Sequence, residues 1–260
     1  MNQVSIKNDI RKMGNNRESN FQAFILAAGE GRRLKPYTDQ MPKPMVPVNG
    51  QPILQHTLDH LAAAGVQDII INTFHKGQVI KDFVEDHHND LSIYLSEEEA
   101  LLNTGLGIKR VLHRMKSRPF FVINGDAFWT NGPEEEALCQ LENAWDPQEM
   151  DILLLLQPVN AMTLTKGVGD YIVDQQGRAQ RQKDQAGDYM FAGIRICKPE
   201  IFDETPDTPF SFLDLMDQAE SKGRLFALIH DGEWHHISTP GDLERVNESL
   251  AAGMPKEASA

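Results

Sequence analysis

The chain has 260 residues, 40% of them hydrophobic, which is enough for a folded domain with its own core. Its formal net charge of −13 at pH 7 argues against a broad binding surface for nucleic acid or for an anionic membrane. Two cysteines, Cys139 and Cys197, are too few for a disulfide framework and lack the spacing of a metal site. Since no apolar run is long enough to cross a bilayer and the first residues lack the core of a signal peptide, we expect a cytoplasmic protein.

Short apolar runs and amphipathic stretches alternate along the chain. Strands are predicted at residues 24–27, 68–72, 91–95, 120–123, 152–157 and 190–196. Helices are predicted from residue 53 to a stop at Gly65, over 106–115, over 212–220 after Ser211, and over 240–250 after Thr239. This alternation predicts an α/β protein: a single Rossmann-like domain with a mostly parallel mixed sheet flanked by helices.

The domain limits are also predicted. Residues 1–20 are polar and charged throughout and are expected to form a flexible N-terminal extension, followed by one domain at 21–253 and a tail at 254–260. Residues 158–188 are rich in Gly, Gln and Asp and are expected to form an irregular hairpin region at the end of the sheet.

The loop after the first strand combines glycine with positive charge. Gly29 and Gly31 stand where backbone N–H groups can approach a ligand, as in phosphate-binding loops. The dinucleotide fingerprint is not met, because Leu34 occupies the place of its third glycine, and no Gly-Lys-Ser/Thr of a P-loop follows. The pattern therefore indicates phosphate binding of another kind.

Four cations fall in this loop of an otherwise acidic chain: Arg32, Arg33, Lys35 and Lys43. A bound triphosphate would explain the cluster, whereas a solvated basic surface is the usual alternative. For Arg32 and Lys35 both interpretations stay open. Arg33 and Lys43 are favoured as site residues, Lys43 because the flanking Pro42 and Pro44 restrict the backbone around it.

The segment AAGEGRRLKPYTDQMPKPMVPVNGQPIL resembles the signature of the sugar-1-phosphate nucleotidyltransferases, A-A-G-x-G-x-R-x-x-P-x-T-x-x-x-P-K-P-x-x-P-V. The likeness continues to about residue 250 through FFVINGDAFW, MFAGIRI and WHHISTPGDLERV, in an order similar to that of the short N-acetylmuramate-1-phosphate uridylyltransferases of peptidoglycan recycling. It implies a nucleotide-diphospho-sugar transferase (GT-A-like) fold in a monomer or small homo-oligomer. The implied substrates are a nucleoside triphosphate, UTP in the first place, and a sugar 1-phosphate.

The resemblance also implies roles for three catalytic residues. Arg33 would bind the phosphates, including the leaving pyrophosphate, and Lys43 would contact the α-phosphate. Asp126 follows an apolar strand, where carboxylates gather at α/β sites, and would hold Mg²⁺, with Mn²⁺ as an alternative. Some relatives carry Asp at the position of His236, so His236 is either a metal ligand, a partner of a metal-bound water, or a plain histidine.

For nucleotide binding the resemblance adds Ala28, Gly29, Gly31, Asn103 and Gly105 to Arg33 and Lys43. An alternative is that Asn103, with Thr104, caps the helix that follows. The sugar side is assigned to three residues, Asn124, Asp170 and Gly193.

Rival functions remain at this point. Another sugar-1-phosphate or phosphocholine nucleotidyltransferase would use nearly the same loop. A catalytically silent relative that binds a nucleotide sugar and regulates a partner is favoured by His236 and opposed by Arg33, Lys43 and Asp126. A dinucleotide-dependent dehydrogenase is opposed by the missing third glycine.

Overall fold

The computed structural model describes residues 18–87, 91–116, 118–133 and 135–253. The predicted extension at 1–20 lies outside the described residues up to residue 17, and so does the predicted tail at 254–260. Ser19 is held against the domain, because its backbone N–H donates to Gly65 O at 3.1 Å and its hydroxyl to Glu142 at 3.2 Å. The described helices include none long and apolar enough to span a bilayer.

The described residues form thirteen strands and six α-helices. The strands are β1 (Gln22–Leu26), β2 (Pro47–Val48), β3 (Gln51–Pro52), β4 (Asp68–Thr73), β5 (Ser92–Glu97), β6 (Phe120–Asn124), β7 (Phe128–Thr130), β8 (Ile152–Pro158), β9 (Tyr171–Val173), β10 (Ala179–Arg181), β11 (Tyr189–Cys197), β12 (Leu225–Ile229) and β13 (Glu233–His235). The helices are α1 (Ile53–Ala63), α2 (Gly77–His87), α3 (Asn103–Lys109), α4 (Ala137–Ala144), α5 (Phe212–Ser221) and α6 (Pro240–Gly253).

Nine strands form the main sheet, with the path β10-β9-β11-β6-β1-β4-β5 and with β8 paired to both β11 and β12. The pairs of β1 with β4 and β6, of β4 with β5, and of β8 with β12 are parallel. Strand β11 runs antiparallel to β6 and β8. The predicted mixed sheet is therefore confirmed, although its described strands form four parallel and four antiparallel pairs and are not mostly parallel.

Both faces of the sheet are buried, because alternate strand residues point to opposite sides. Ile25, Ile123 and Ile194 pack on one face with α1 and α4. Phe24, Val122 and Leu154 pack on the other face with α3 and α5. Helix α6 covers a third cluster beneath the loop that follows β1. Continuous apolar strands are what a sheet with two covered faces requires.

The six predicted strands and three of the predicted helices are confirmed with small shifts of their ends. Gly65 ends α1 with a φ of 80°, and Ser211 caps α5 by accepting a hydrogen bond from Leu213 N at 3.2 Å. The predicted helix at 106–115 is wrong in its limits. Helix α3 begins earlier and stops at Lys109, and a single 3₁₀ turn follows at Leu112–Arg114. Two glycines within α3 lower its intrinsic helix stability. The irregular region at 158–188 contains the short hairpin of β9 and β10.

Candidate active site

A cleft of about 470 Å³ opens at the carboxyl ends of β1, β4 and β6. Parallel strands bring the residues that follow them to one edge of the sheet, which is where ligands bind in such folds. Eight of the predicted site residues line this cleft: Ala28, Gly29, Gly31, Arg33, Lys43, Asn103, Asn124 and Asp126. Four others do not line it: Gly105, Asp170, Gly193 and His236.

The loop after β1 is folded tightly on itself. Gly31 has a φ of 61°, and a Cβ there would lie 2.9 Å from Thr38 Cγ2 and 3.0 Å from Lys43 Cβ. The Thr38 hydroxyl donates to Gly31 O at 3.0 Å, and Leu34 is fully buried beneath the loop. Only glycine meets both requirements at position 31, so the loop places Lys43 against the glycine turn.

The four loop cations have different environments. Lys43 Nζ lies 2.7 Å from Asp126 Oδ2, and its side chain is 11% exposed. Arg32 pairs with Glu30, and Lys35 lies 3.1 Å from Asp39, both on the surface. Arg33 is exposed and forms no salt bridge with any residue that the structure describes. A solvated role therefore fits Arg32 and Lys35, whereas Lys43 and Arg33 remain candidates for phosphate contacts.

The charge of Lys43 shifts the pKa values of both Asp126 and His236. Desolvation by itself would raise the pKa of Asp126, but the charge and hydrogen bond of Lys43, with His236 adding to them, bring this pKa below its ordinary value. Burial lowers the pKa of His236, and Lys43 lowers it further, while Asp126 opposes the shift. Asp126 is therefore an anion and His236 a neutral imidazole at pH 7, the forms in which both side chains bind metal ions.

These two side chains are suited to bind a divalent cation whose remaining ligands are supplied by the substrate and water. The Asp126 side chain is 43% exposed in the cleft, although one oxygen is engaged by Lys43. No group of three or more His, Cys, Asp or Glu side chains with a metal-site arrangement occurs among the described residues. Mg²⁺ is often held by one or two carboxylates together with substrate phosphates and water, so a site based on Asp126 is chemically reasonable.

A buried polar network joins β1, β4 and the segment before α3. Asn72 Oδ1 accepts from Ala27 N at 2.8 Å, and Asn72 Nδ2 donates to Glu98 Oε1 at 2.7 Å. The other oxygen of Glu98 accepts from Leu102 N at 3.2 Å. Both Asn72 and Glu98 line the cleft. Sequence reasoning missed Asn72, although a polar residue ending an apolar strand was a usable signal.

The segment after β5 holds the predicted base-binding residues. Asn103 is exposed at the cleft with a φ of 64°, and its side chain accepts from Thr104 N at 2.9 Å. The Thr104 hydroxyl accepts from Phe212 N at 2.8 Å and thereby serves the start of α5. Gly105 faces Phe210, whose ring a Cβ at position 105 would approach to 2.2 Å. Gly105 thus has a packing requirement, whether or not it also contacts a nucleotide.

Gly29 and Gly105 provide a test that separates packing from ligand contact. A Cβ at Gly29 would meet nothing within 4 Å, so we expect Gly29→Ala to leave the thermal midpoint unchanged and to raise KM for the nucleotide. We expect Gly105→Ala to destabilise the fold by about 1–3 kcal/mol, the usual cost of overpacking. Thermal unfolding and nucleotide KM are measured for both variants. A Gly29→Ala enzyme with an unchanged KM would contradict close approach of a nucleotide to Gly29.

The three sugar-side candidates are connected through β11. Asp170 Oδ2 accepts from Phe191 N at 3.2 Å, and burial raises the pKa of Asp170. Gly193 has a φ of 78°, and a Cβ there would lie 3.1 Å from the Asn124 side chain. Asn124 accepts in turn from Arg195 at 3.4 Å. Asn124 alone of the three lines the cleft, and Asp170 and Gly193 do not.

The sequence of this chain is similar to those of known nucleotidyltransferases over most of its length. Residues 22–252 match the model of the family described as nucleotidyl transferase. An N-acetylmuramate alpha-1-phosphate uridylyltransferase of Caulobacter vibrioides is 33% identical over 84% of this chain and 92% of its own length. A mannose-1-phosphate guanylyltransferase of Mycobacterium tuberculosis is 28% identical over 89% of this chain and 65% of its own length.

The fold agrees with this relationship. The crystal structure of HddC from Yersinia pseudotuberculosis complexed with GMP-PN superposes with a TM-score of 0.71 at 26% identity, over 88% of this chain and 99% of that one. The family match over residues 22–252 includes the loop after β1, Lys43, Asp126 and nearly all of α6. The chain therefore belongs to the nucleotidyl transferase family, as a sugar-1-phosphate nucleotidyltransferase.

Proposed function

We propose that the protein transfers the uridylyl group of UTP to N-acetylmuramate 1-phosphate, forming UDP-N-acetylmuramate and pyrophosphate in peptidoglycan recycling. The observation that carries the proposal is the Lys43–Asp126 pair. The pair lies in the cleft, which the exposed Arg33 and the sugar-side candidate Asn124 also line. A cation for phosphate and a carboxylate for a metal ion thus meet where the two substrates have to meet.

In the proposed reaction a phosphate oxygen of the sugar 1-phosphate attacks the α-phosphorus of the nucleotide. The new phosphorus–oxygen bond forms as the bond to the bridging oxygen breaks, and pyrophosphate leaves with that electron pair. The protein needs no nucleophile of its own, so it acts by positioning two polyanions and by reducing their repulsion. Lys43 stabilises charge that develops at the α-phosphate, and Arg33 binds the departing phosphates.

Enzymes of this family generally use divalent metal ions. Asp126 would be the principal protein ligand here, with His236 beside it. A metal ion held there would supply charge neutralisation and would orient the phosphate oxygens. Apart from the metal, Lys43 keeps Asp126 ionised, and the turn at Gly31 keeps Lys43 in place.

The choice of UTP and N-acetylmuramate is supported by the relative from Caulobacter vibrioides. A guanylyltransferase is the second candidate, because the relative from Mycobacterium tuberculosis and the GMP-PN-bound structure belong to enzymes or complexes of guanine nucleotides. A silent nucleotide-sugar-binding protein is the third, since His236 occupies a position where some relatives carry Asp.

The proposal is tested by measuring pyrophosphate release from UTP, GTP, CTP, ATP and dTTP. Each nucleotide is paired with the 1-phosphates of N-acetylmuramate, N-acetylglucosamine and mannose, with Mg²⁺, with Mn²⁺ or with chelator. Release that is confined to UTP and N-acetylmuramate 1-phosphate and is lost with chelator supports the proposal. Preference for GTP would establish the second candidate, and nucleotide binding without release would establish the third.

The adjacent residues Arg33 and Arg32 offer a matched pair for the phosphate assignment. We expect Arg33→Met to lower kcat/KM about 100-fold, the cost of losing a charged phosphate contact of about 3 kcal/mol. Arg32→Met should change kcat/KM by less than about threefold, since an exposed ion pair contributes little. Steady-state kinetics with both substrates measures the difference. Equal losses for the two variants would show that the loop acts by its net charge and not through Arg33.

Position 236 tests the metal assignment independently of Asp126. We expect His236→Asp to keep or raise kcat with Mg²⁺, because a carboxylate is a harder ligand than imidazole. His236→Phe removes the ligand while keeping a ring, and should shift the metal concentration for half-maximal rate upward. Metal titrations of kcat with Mg²⁺ and Mn²⁺ report both effects. Identical titrations for all three proteins would place His236 outside the metal site.

A further inference from the structure

Arg195 is a buried arginine in the middle of β11. It is 2% exposed, and its guanidinium carbon lies 4.0 Å from the ring centre of Phe212 and 5.4 Å from that of Phe191. Burial lowers its pKa to about 10, so the side chain keeps its positive charge at neutral pH. No carboxylate forms a salt bridge with Arg195 anywhere in the described ranges.

A buried arginine of this kind lowers the stability of the fold. A buried cation without a carboxylate partner loses its hydration for little compensation, and the aromatic rings return only part of that loss. Its Nε has no hydrogen-bond partner among the described residues. Within the described part of the chain, the Arg195 side chain makes a single hydrogen bond, from Nη1 to Asn124 Oδ1 at 3.4 Å. Asn124 in turn lines the cleft, which connects the buried charge to the site.

The contact fixes the orientation of the Asn124 amide. A guanidinium group has N–H donors and no acceptor, so the amide must present its oxygen to Arg195. The Nδ2 group is then left as the donor that a ligand can use. Gly193 leaves room for this side chain, because a Cβ at position 193 would lie 3.1 Å from both Asn124 Cβ and Asn124 Nδ2.

We propose that Arg195 is a positioning residue that holds the Asn124 amide with Nδ2 free to donate to an acceptor oxygen of the sugar 1-phosphate. The inference rests on the proposed function, in which Asn124 faces the sugar side of the cleft. Arg195 itself does not line the cleft, so its effect reaches the substrate through Asn124. Its charge also strengthens the amide as a donor, because neighbouring hydrogen bonds polarise one another.

The test compares Arg195→Met and Arg195→Lys with the parent enzyme. Met fills much of the same volume between the two aromatic rings but donates no hydrogen bond. We expect Arg195→Met to raise KM for the sugar 1-phosphate about tenfold and to leave KM for the nucleotide within about twofold. Arg195→Lys keeps a cationic donor and should recover part of the loss. The matched control is Arg224→Met, which removes an arginine paired with Asp151 at 2.8 Å, outside the cleft lining.

A double-mutant cycle separates positioning from general destabilisation. In an Asn124→Ala background, Arg195→Met should add less than about twofold to KM for the sugar 1-phosphate, because the amide it orients is gone. Asn124→Asp provides a second test of the Nδ2 donor. The new carboxylate would pair with Arg195, but an acceptor oxygen would replace the donor. We expect it to raise KM for the sugar as much as Arg195→Met does, with an unchanged or higher thermal midpoint.

Several results would overturn the inference. Additive effects in the cycle, equal changes in both KM values, or an Asn124→Asp enzyme with normal sugar KM would each do so. If Arg195→Met does not fold, Arg195→Lys and Asn124→Asp still decide the question. Failure of the proposed function has a different signature: the parent enzyme would then show no transfer, or would show transfer to another sugar, before any variant is compared.

Discussion

We expect Asp126→Ala to lower kcat by at least about 1,000-fold, because losing a metal ligand removes about 4 kcal/mol of charge stabilisation in the transition state. The substitution also leaves Lys43 buried without its carboxylate partner, which is 2.7 Å away in the parent structure. KM for the nucleotide should rise as well, since a metal ion held by Asp126 would help to neutralise the charge of the phosphates. Steady-state pyrophosphate release over a range of Mg²⁺ concentrations measures both effects.

Asp126→Asn is the matched control for Asp126→Ala. It keeps the shape of the side chain and can still accept a hydrogen bond from Lys43, but it removes the negative charge. If the charge is what matters, both variants lose activity while Asp126→Asn retains the parent thermal midpoint. A near-normal rate with Mg²⁺ for either variant would remove Asp126 from the metal site.

The sequence was sufficient to predict the edge of the sheet at which the site lies. Asp126 follows β6 and the glycine loop follows β1, and these strands are parallel neighbours. Residues that follow parallel neighbours must meet at one edge. The 83-residue separation of Lys43 from Asp126 therefore did not hide their proximity. Their direct ion pair depends on the folding of the loop around Gly31, which composition alone does not determine.

Buried polar residues were harder to predict because their neighbours come from distant parts of the chain. Glu97, Glu98 and Glu99 form one acidic run, and nothing local distinguishes the middle residue. In the structure Glu98 is 8% exposed because Asn72 and Leu102 N both donate to it. Arg195 interrupts the apolar pattern of β11, and nothing in the local sequence indicates that its side chain is buried. Its partners come from β6 and α5, which only tertiary packing brings together.

Glycines are ambiguous in a different way. Gly105 is predicted to bind the nucleotide, and the structure shows that its missing side chain also makes room for Phe210. A missing side chain in the sequence says that something approaches closely, but it does not say whether a ligand or another part of the chain does so. For Gly31 and Gly193 the positive φ adds a second requirement, so their substitution would be strained in either case.

The end of β6 carries two residues of the candidate site, Asn124 and Asp126. Asn124 is the last residue of the strand, and Gly125 N donates to Leu26 O at 2.8 Å, which fixes the chain where β6 leaves the sheet. A Cβ at Gly125 would lie 2.6 Å from that same oxygen. Asn124 is thereby directed to Arg195, and Asp126 to Lys43. One short segment thus sets the distance between Asn124 and Asp126, the residues proposed for the sugar side and for the metal ion.

We expect Lys43→Met to lower kcat by about 100-fold to 1,000-fold, the range found when a preorganised donor to a developing negative charge is removed. Met keeps the aliphatic stem that packs against the Gly31 turn, where Lys43 Cβ lies 3.0 Å from the position of a Cβ on Gly31. The loss would therefore report the ammonium group and not a collapsed loop. Nucleotide binding should weaken less than turnover, because in the proposed function Arg33 would still contact the phosphates.

Two further variants make the Lys43 result specific. Lys35→Met removes an exposed cation of the same loop that pairs with Asp39, and should change kcat by less than about threefold. Lys43→Arg keeps the charge in a side chain of different shape, and should remain impaired because the parent lysine is 11% exposed in a tight site. If Lys43→Met and Lys35→Met lost activity equally, the loop would act through its overall charge. If Lys43→Arg were fully active, a positive charge without defined geometry would be sufficient at the α-phosphate.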